Sequence, residues 1–182
     1  VLLLIKNQKK QFGKADDDVI HLTNDLQTFI GNVADNLTMN GNKVKVGFSS
    51  PGYIDSAKNI GASFDGRRYG EPFAVHISPI SSDIDLFEIL DFASSLNYRG
   101  NRINGNVVDF ILPNSYLKNK EKLIELIKQS CMRGIFELQL NVLSYKQLID
   151  AKAHPEKYKN LIVRVWGFSA YFNDLPDDYK DT

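Results

Sequence analysis

Few residues in this chain carry side chains suited to covalent or proton-transfer chemistry, and their spacing limits what they can do together. The three histidines, His21, His76 and His154, stand far apart, and none sits at metal-ligand spacing to another, so no metal site is expected. His21 falls on the polar side of a predicted helix and His154 precedes Pro155; both positions read as surface or structural. His76 differs, because it lies in an irregular stretch between Arg67-Arg68 and Pro79. A histidine there can line a substrate pocket or be satisfied by hydrogen bonds within the loop. Cys131 is the single cysteine, which excludes an internal disulfide. It stands on the predicted apolar face of a helix with Leu123, Ile124 and Ile127, where it reads as a small core hydrophobe. Only Arg133 is near enough in sequence to stabilise a thiolate.

Two further stretches have unusual chemistry. "FDGRRYGE" combines a glycine that permits close approach with two guanidinium groups that can clamp an oxyanion, but no helix start or Walker lysine follows. The other reading, an arginine pair that ties loops together through carboxylates and carbonyls, fits better. "LIVRVWGFSAYF" sets Gly167 between Trp166 and Phe168 inside an otherwise strand-like apolar run, where glycine marks a bulge or a tight bend. Residue chemistry alone makes Gly167 a glycine in an aromatic loop and names no reaction.

The elements that must position these residues alternate between helix and strand, which is an α/β pattern. "VLLLI" reads as a buried strand, and its apolar run is far too short to span a bilayer. Val19, Leu22, Leu26, Phe29, Ile30 and Val33 recur at helical spacing after Asp16 to Asp18, predicting a long amphipathic helix with an acidic start. Strands are predicted near 44–48, 106–112 and 136–142, and helices over 85–96, over 115–133 with Gly134 as cap, and over 144–160 with an interruption at Pro155. A last helix opens at Pro176. The long segment 59–83 is rich in Gly, Pro and Ser but not repetitive, as expected of an ordered functional loop. A chain that starts on a strand without Met and stops at "YKDT" in mid-helix reads as a fragment.

Composition bounds the class. Lys plus Arg equals Asp plus Glu at 22 each, so no charge excess argues for a nucleic-acid or membrane partner. With 43% hydrophobic and 24% charged residues the chain is of ordinary globular composition. One cysteine and no secretory signal fit a reducing, cytoplasmic setting.

The order of the motifs narrows the reading further. "GASFDGRRYGEPFAVHISP", "GNRINGNVVDFI" and "LQLNVLSYKQLIDAKAHPEKYKNLIVRVWGFSAYFNDL" follow one another from Asn59 to the end. This stretch resembles the C-terminal part of glycyl radical enzymes of the pyruvate formate-lyase family, and the upstream "FGKADDDVIHLTNDL" is similar to that family's K-[FY]-G-N-D-D helix. Arg164, Val165, Gly167 and Phe168 match the signature R-V-x-G-[FY]. The resemblance implies the C-terminal part of a ten-stranded α/β barrel with a glycine finger loop, residues 1–80 closing the barrel domain and 81–182 forming the glycine radical domain.

The same resemblance implies that Gly167 stores a backbone radical. A glycine Cα radical has no side chain to twist it out of plane, and it delocalises onto the flanking amide groups. Arg164, Val165, Trp166 and Phe168 would support the loop, and Trp166, Phe168, Tyr171 and Phe172 would pack it into the interior, away from water and oxygen. A separate activating enzyme with an iron–sulfur cluster and S-adenosylmethionine would remove the hydrogen, so no cofactor is bound by the chain itself. The radical would then oxidise an upstream cysteine; Cys131 lies in the wrong motif, so the chain alone is expected to be inactive. Partners implied are the activating enzyme, the remainder of the barrel, a second copy of the full-length enzyme as a homodimer, and a small-molecule substrate. Phe64, Trp166 and "HISPISSDIDLFEIL" depart from pyruvate formate-lyase itself and from the diol and choline branches, and "FSAYF" is closer to the decarboxylase and dehydratase branches, an arylacetate decarboxylase first among them. The alternative is a stand-alone spare-part subunit that repairs an oxygen-cleaved formate acetyltransferase.

Overall fold

The structure is a computed structural model and describes residues 10–47, 49, 52–64, 66–78, 84–100, 107–165 and 167–181. The first helix, α1 (Asp17–Asp35), starts where Asp16 accepts the Asp18 and Val19 N–H groups at 3.0 and 3.3 Å, with Asp17 and Asp18 placed favourably toward the helix dipole. Asn40 and Gly41, both at positive φ (52° and 79°), then turn a short hairpin of β1 (Thr38–Met39) and β2 (Asn42–Lys43). This corrects the predicted strand at 44–48. The turn assigns the antiparallel pairing to residues before 44, and the Val44 N–H bonds back to the Leu37 carbonyl, leaving 44–46 irregular. Phe48 and the predicted first strand, 1–5, lie outside the described residues.

The centre is a β-α-β arrangement. Strand β3 (Val107–Leu112) and strand β4 (Glu137–Val142) pair in parallel, with Asp109 opposite Gln139 and Ile111 opposite Asn141. Between them run α3 (Ser115–Lys118) and α4 (Lys120–Met132). Gly134 closes α4 in a Schellman motif: the Ile135 N–H bonds the Ser130 carbonyl at 3.0 Å and the Gly134 N–H bonds that of Cys131 at 3.1 Å. Helix α2 (Leu86–Ser95) covers the inner face, so that Leu90, Phe92, Val108, Leu112 and Leu126 form a fully buried cluster with Leu138, Leu140 and Val142 against it.

A second, smaller cluster of Ala151, Val163 and Phe172 joins α5 (Tyr145–Ala153) to a hairpin of β5 (Ile162–Val165) and β6 (Phe168–Tyr171). Short 3₁₀ turns and α6 (Asp177–Lys180) end the described chain. No helix among the described residues is long and apolar enough to cross a membrane.

Two predicted helix faces are corrected. In α4 the buried stripe is Leu126 and Ser130, with Leu123 packed against the core; Ile124, Ile127 and Cys131 point outward, because the strand pair sits roughly one residue further round the helix than the apolar pattern implied. Along α1 Val19 and Ile20 pack against the central cluster and Gln27, Gly31 and Ala34 are buried, while Leu22, Leu26, Phe29, Ile30 and Val33 are exposed. Asn24 fixes this orientation by bonding the Ser95 carbonyl at 3.1 Å and the Asn97 N–H at 2.8 Å.

Candidate functional site

Gly167 stands at the turn of the β5–β6 hairpin, with φ of 88°, a left-handed value that favours glycine. Val165 pairs with Phe168, which puts Gly167 in the short turn that joins them; Trp166 lies outside the described residues. The Gly167 N–H donates to Oε1 of Gln139 at 3.1 Å. One pair back from the turn, Arg164 faces Ser169, and its backbone N–H and carbonyl point away from β6. Asn141 meets both: its Oδ1 accepts the Arg164 N–H at 2.8 Å and its Nδ2 donates to the Arg164 carbonyl at 2.9 Å. Nε2 of Gln139 reaches the same carbonyl at 3.5 Å. The Arg164 side chain is exposed and its guanidinium lies 3.4 Å from the Ser169 hydroxyl. A cavity of about 530 Å³ runs between β4 and this hairpin, lined by Glu137, Gln139, Asn141, Arg164 and Ser169 among others.

Gln139 and Asn141 are the residues that sequence reasoning missed. The alternation in "LQLNV" puts them on the face opposite Leu138, Leu140 and Val142, and an alternating strand is ordinarily read as polar toward solvent. Here the polar face carries the hairpin instead, and Gln139 is buried.

The aromatic packing predicted around Gly167 is found only in part. Phe172 is buried, but Phe168 and Tyr171 are 51% and 48% exposed, since the described chain holds no layer over the outer side of the hairpin. Gly167 is itself exposed.

His76 is placed apart from the turn, with its side chain buried and its backbone at φ of 51°. Nδ1 lies 3.0 Å from the Ser49 hydroxyl and Nε2 3.8 Å from Oδ2 of Asp109. Burial pushes the imidazole below its ordinary range, opposed by the charge of Glu137. Burial, with Glu137 adding to it, pushes the Asp109 carboxyl up to about 6. Neutral His76 therefore faces Asp109 without an ion pair near neutral pH. Asp109 is opposite Gln139 in register, so the histidine cluster and the hairpin meet the same face of the strand pair.

Arg67 has the loop-tying role. Its buried guanidinium donates to the Ser63 hydroxyl at 3.2 Å and to the carbonyls of Arg68 at 3.1 Å, Glu71 at 2.8 Å and Gly61, and it lies over the Phe73 ring at 4.7 Å. The described residues hold no group of three or more His, Cys, Asp or Glu able to bind a metal ion.

Comparison with known proteins accounts for this arrangement. The glycine radical family matches residues 82–173. The isethionate sulfite-lyase of Nitratidesulfovibrio vulgaris is 41% identical over 64 residues, 35% of this chain and 8% of that protein. The 4-hydroxyphenylacetate decarboxylase glycyl radical subunit of Clostridium scatologenes is 37% identical over 65 residues, 36% of this chain and 7% of that protein. A structure solved for 1,2-propanediol dehydration in Roseburia inulinivorans superposes with a TM-score of 0.90 at 26% identity, over 99% of this chain and 23% of the other. The chain thus spans less than a quarter of the length of each of these three relatives. The family match covers half of the chain and takes in β3, β4 and the whole β5–β6 hairpin, so this chain belongs to the glycine radical family of proteins.

Proposed function

We propose that this chain is the radical-bearing C-terminal part of a larger glycyl radical enzyme, with the unpaired electron stored on Cα of Gly167. The observation that carries this reading is the position of Gly167: a hairpin turn within the family-matched segment, with open space where a Cβ would stand. An accessible Cα–H bond suits hydrogen abstraction by a partner, and glycine alone lets that carbon flatten without a side chain in the way. The partner is a separate activating enzyme that carries an iron–sulfur cluster and S-adenosylmethionine. In turnover the Gly167 radical passes to a cysteine outside this chain, whose thiyl radical starts the substrate chemistry. Arg164, Val165, Trp166 and Phe168 hold the turn, and His76 is the candidate for a substrate-facing group.

Residues 81–182 form the glycine radical domain and 1–80 the closing part of a ten-stranded barrel that receives the Gly167 finger. The exposed apolar face of α1 supports this, since monomeric proteins seldom leave such a face uncovered and the remainder of the barrel is its natural cover. The complete enzyme is a cytoplasmic, anaerobic homodimer that cleaves a carbon–heteroatom or carbon–carbon bond of a small molecule. The likeness to the sulfite-lyase and to the diol-dehydration structure favours the first, and that to the decarboxylase subunit supports arylacetate decarboxylation as the second. A spare-part subunit is less well supported, because the structural likeness extends over 99% of the chain and so far upstream of residue 82.

Anaerobic activation of the complete enzyme should give the doublet of a glycyl radical in electron spin resonance, absent from Gly167→Ala, and exposure to air should yield a fragment ending beside Gly167. An unchanged doublet in Gly167→Ala, or an activated chain left intact by air, refutes the assignment.

A further inference from the structure

The hairpin that carries Gly167 is attached to the central sheet in an unusual way. Strand β4 does not continue the sheet onto β5 with a backbone ladder; among the described residues the strands pair only as β1–β2, β3–β4 and β5–β6. Two side-chain amides take the place of a ladder. Asn141 presents an oxygen and an NH₂ group to the outward N–H and carbonyl of Arg164, at 2.8 and 2.9 Å, as a strand backbone would. Gln139, two residues earlier on the same face, does the same across the turn, accepting from Gly167 and donating toward the Arg164 carbonyl. The partners fix which end of each amide is oxygen, because an N–H can only meet oxygen and a carbonyl can only meet NH₂.

The consequence for Gly167 is specific. The N–H at the second turn position has no partner within a two-residue hairpin, and here it is held by a buried side chain. The geometry points to Gln139 as the positioning residue of the glycine, with Asn141 as its support at Arg164. By fixing the Gly167 N–H, Gln139 fixes the plane of the 166–167 peptide, and an unpaired electron at Cα delocalises into that plane's π system. This rests on the radical reading of Gly167, which it deepens: Gln139 touches neither substrate nor Cα, and acts through the peptide nitrogen.

The test uses the complete enzyme with Gln139→Met, which keeps length and bulk but cannot accept, and Gln139→Glu, which keeps the accepting oxygen. Before activation, hydrogen exchange at the Gly167 amide is read by mass spectrometry with electron-transfer fragmentation. Exchange should quicken on the order of tenfold in Gln139→Met and stay near the wild-type rate in Gln139→Glu, as expected for one lost hydrogen bond. After activation, electron–nuclear double resonance should show the amide-proton coupling of the radical displaced in Gln139→Met and retained in Gln139→Glu. Unchanged exchange in Gln139→Met, or equal loss in both variants, overturns the proposal, the latter because it marks a merely structural role. If Gln139→Met does not fold, Gln139→Glu decides: kept protection upholds the contact and lost protection overturns it. A wild-type enzyme that protects the Gly167 amide but gives no radical defeats the radical reading and leaves the Gln139 contact standing, so the two failures are distinguishable.

Discussion

Replacing Asp109 with Asn should stabilise the protein at neutral pH and leave it nearly unchanged in acid. Asp109 lies on β3 with a side chain only 16% exposed, facing an imidazole that burial keeps neutral and lying within the field of Glu137. Its carboxyl is pushed from 3.8 to about 6, so the folded state binds a proton more tightly than the unfolded state does. Between those two values stability falls as pH rises, because the charge must be held out of water. A shift of ~2 pH units at ~1.4 kcal/mol each puts the full penalty near 3 kcal/mol above pH 6. Asn imitates the protonated acid at every pH. Urea unfolding of the two proteins should therefore give a stability difference close to zero at about pH 4 that grows to as much as ~3 kcal/mol in favour of Asn by about pH 7. His76 contributes in the opposite direction, its stabilisation being lost as pH falls below the unfolded value of 6.5, but it does so in both proteins and cancels from the difference. A difference that does not vary with pH, or an Asn variant less stable at neutral pH, would refute the reasoning and make Asp109 a favourable charged partner of His76.

Three other substitutions test the packing by urea unfolding. Leu126→Ala should cost about 2–5 kcal/mol, and its neighbour Ile127→Ala under ~1 kcal/mol, since only the first is buried; equal costs would return α4 to the face its apolar pattern suggested. Arg67→Lys should cost about 3 kcal/mol or more, because one ammonium cannot reach the Ser63 hydroxyl and the three carbonyls that the guanidinium joins; a neutral result would deny the loop this anchor.

How far the sequence could be read depended on whether a signal was local. The Asp16 cap, the Gly134 stop and the strands over 107–112 and 137–142 follow from neighbouring residues, and they form close to where the pattern places them. The hydrophobic pattern of α1 was legible as a helix, but which side faces the core depends on contacts 71 and 73 residues away, those of Asn24 with Ser95 and Asn97. The strand expected at 44–48 failed because the Asn40-Gly41 turn claimed the pairing a few residues earlier. At the site, Gly167 and its signature neighbours were legible because the turn is encoded within one short run. Gln139 and Asn141 were not, since their role arises only when β4 and the hairpin, 23 to 28 residues apart, are brought together. His76 was singled out by its loop, but its partners Ser49 and Asp109 belong to two other segments and no local spacing joins them.

The division of the apolar interior into two clusters also bears on cooperativity. The strands that carry Gly167 draw their packing from Ala151, Val163 and Phe172, whereas the β-α-β centre is closed by Leu90, Phe92, Val108, Leu112 and Leu126. A three-residue nucleus yields to thermal fluctuation sooner than an eleven-residue one, so the C-terminal part is the lower rung of a local unfolding ladder and melts back as a block. Strain from a cavity or a substitution in the larger cluster reaches the tip through β4, whose Leu138 and Leu140 face that cluster while Gln139 and Asn141 hold the hairpin on the other face.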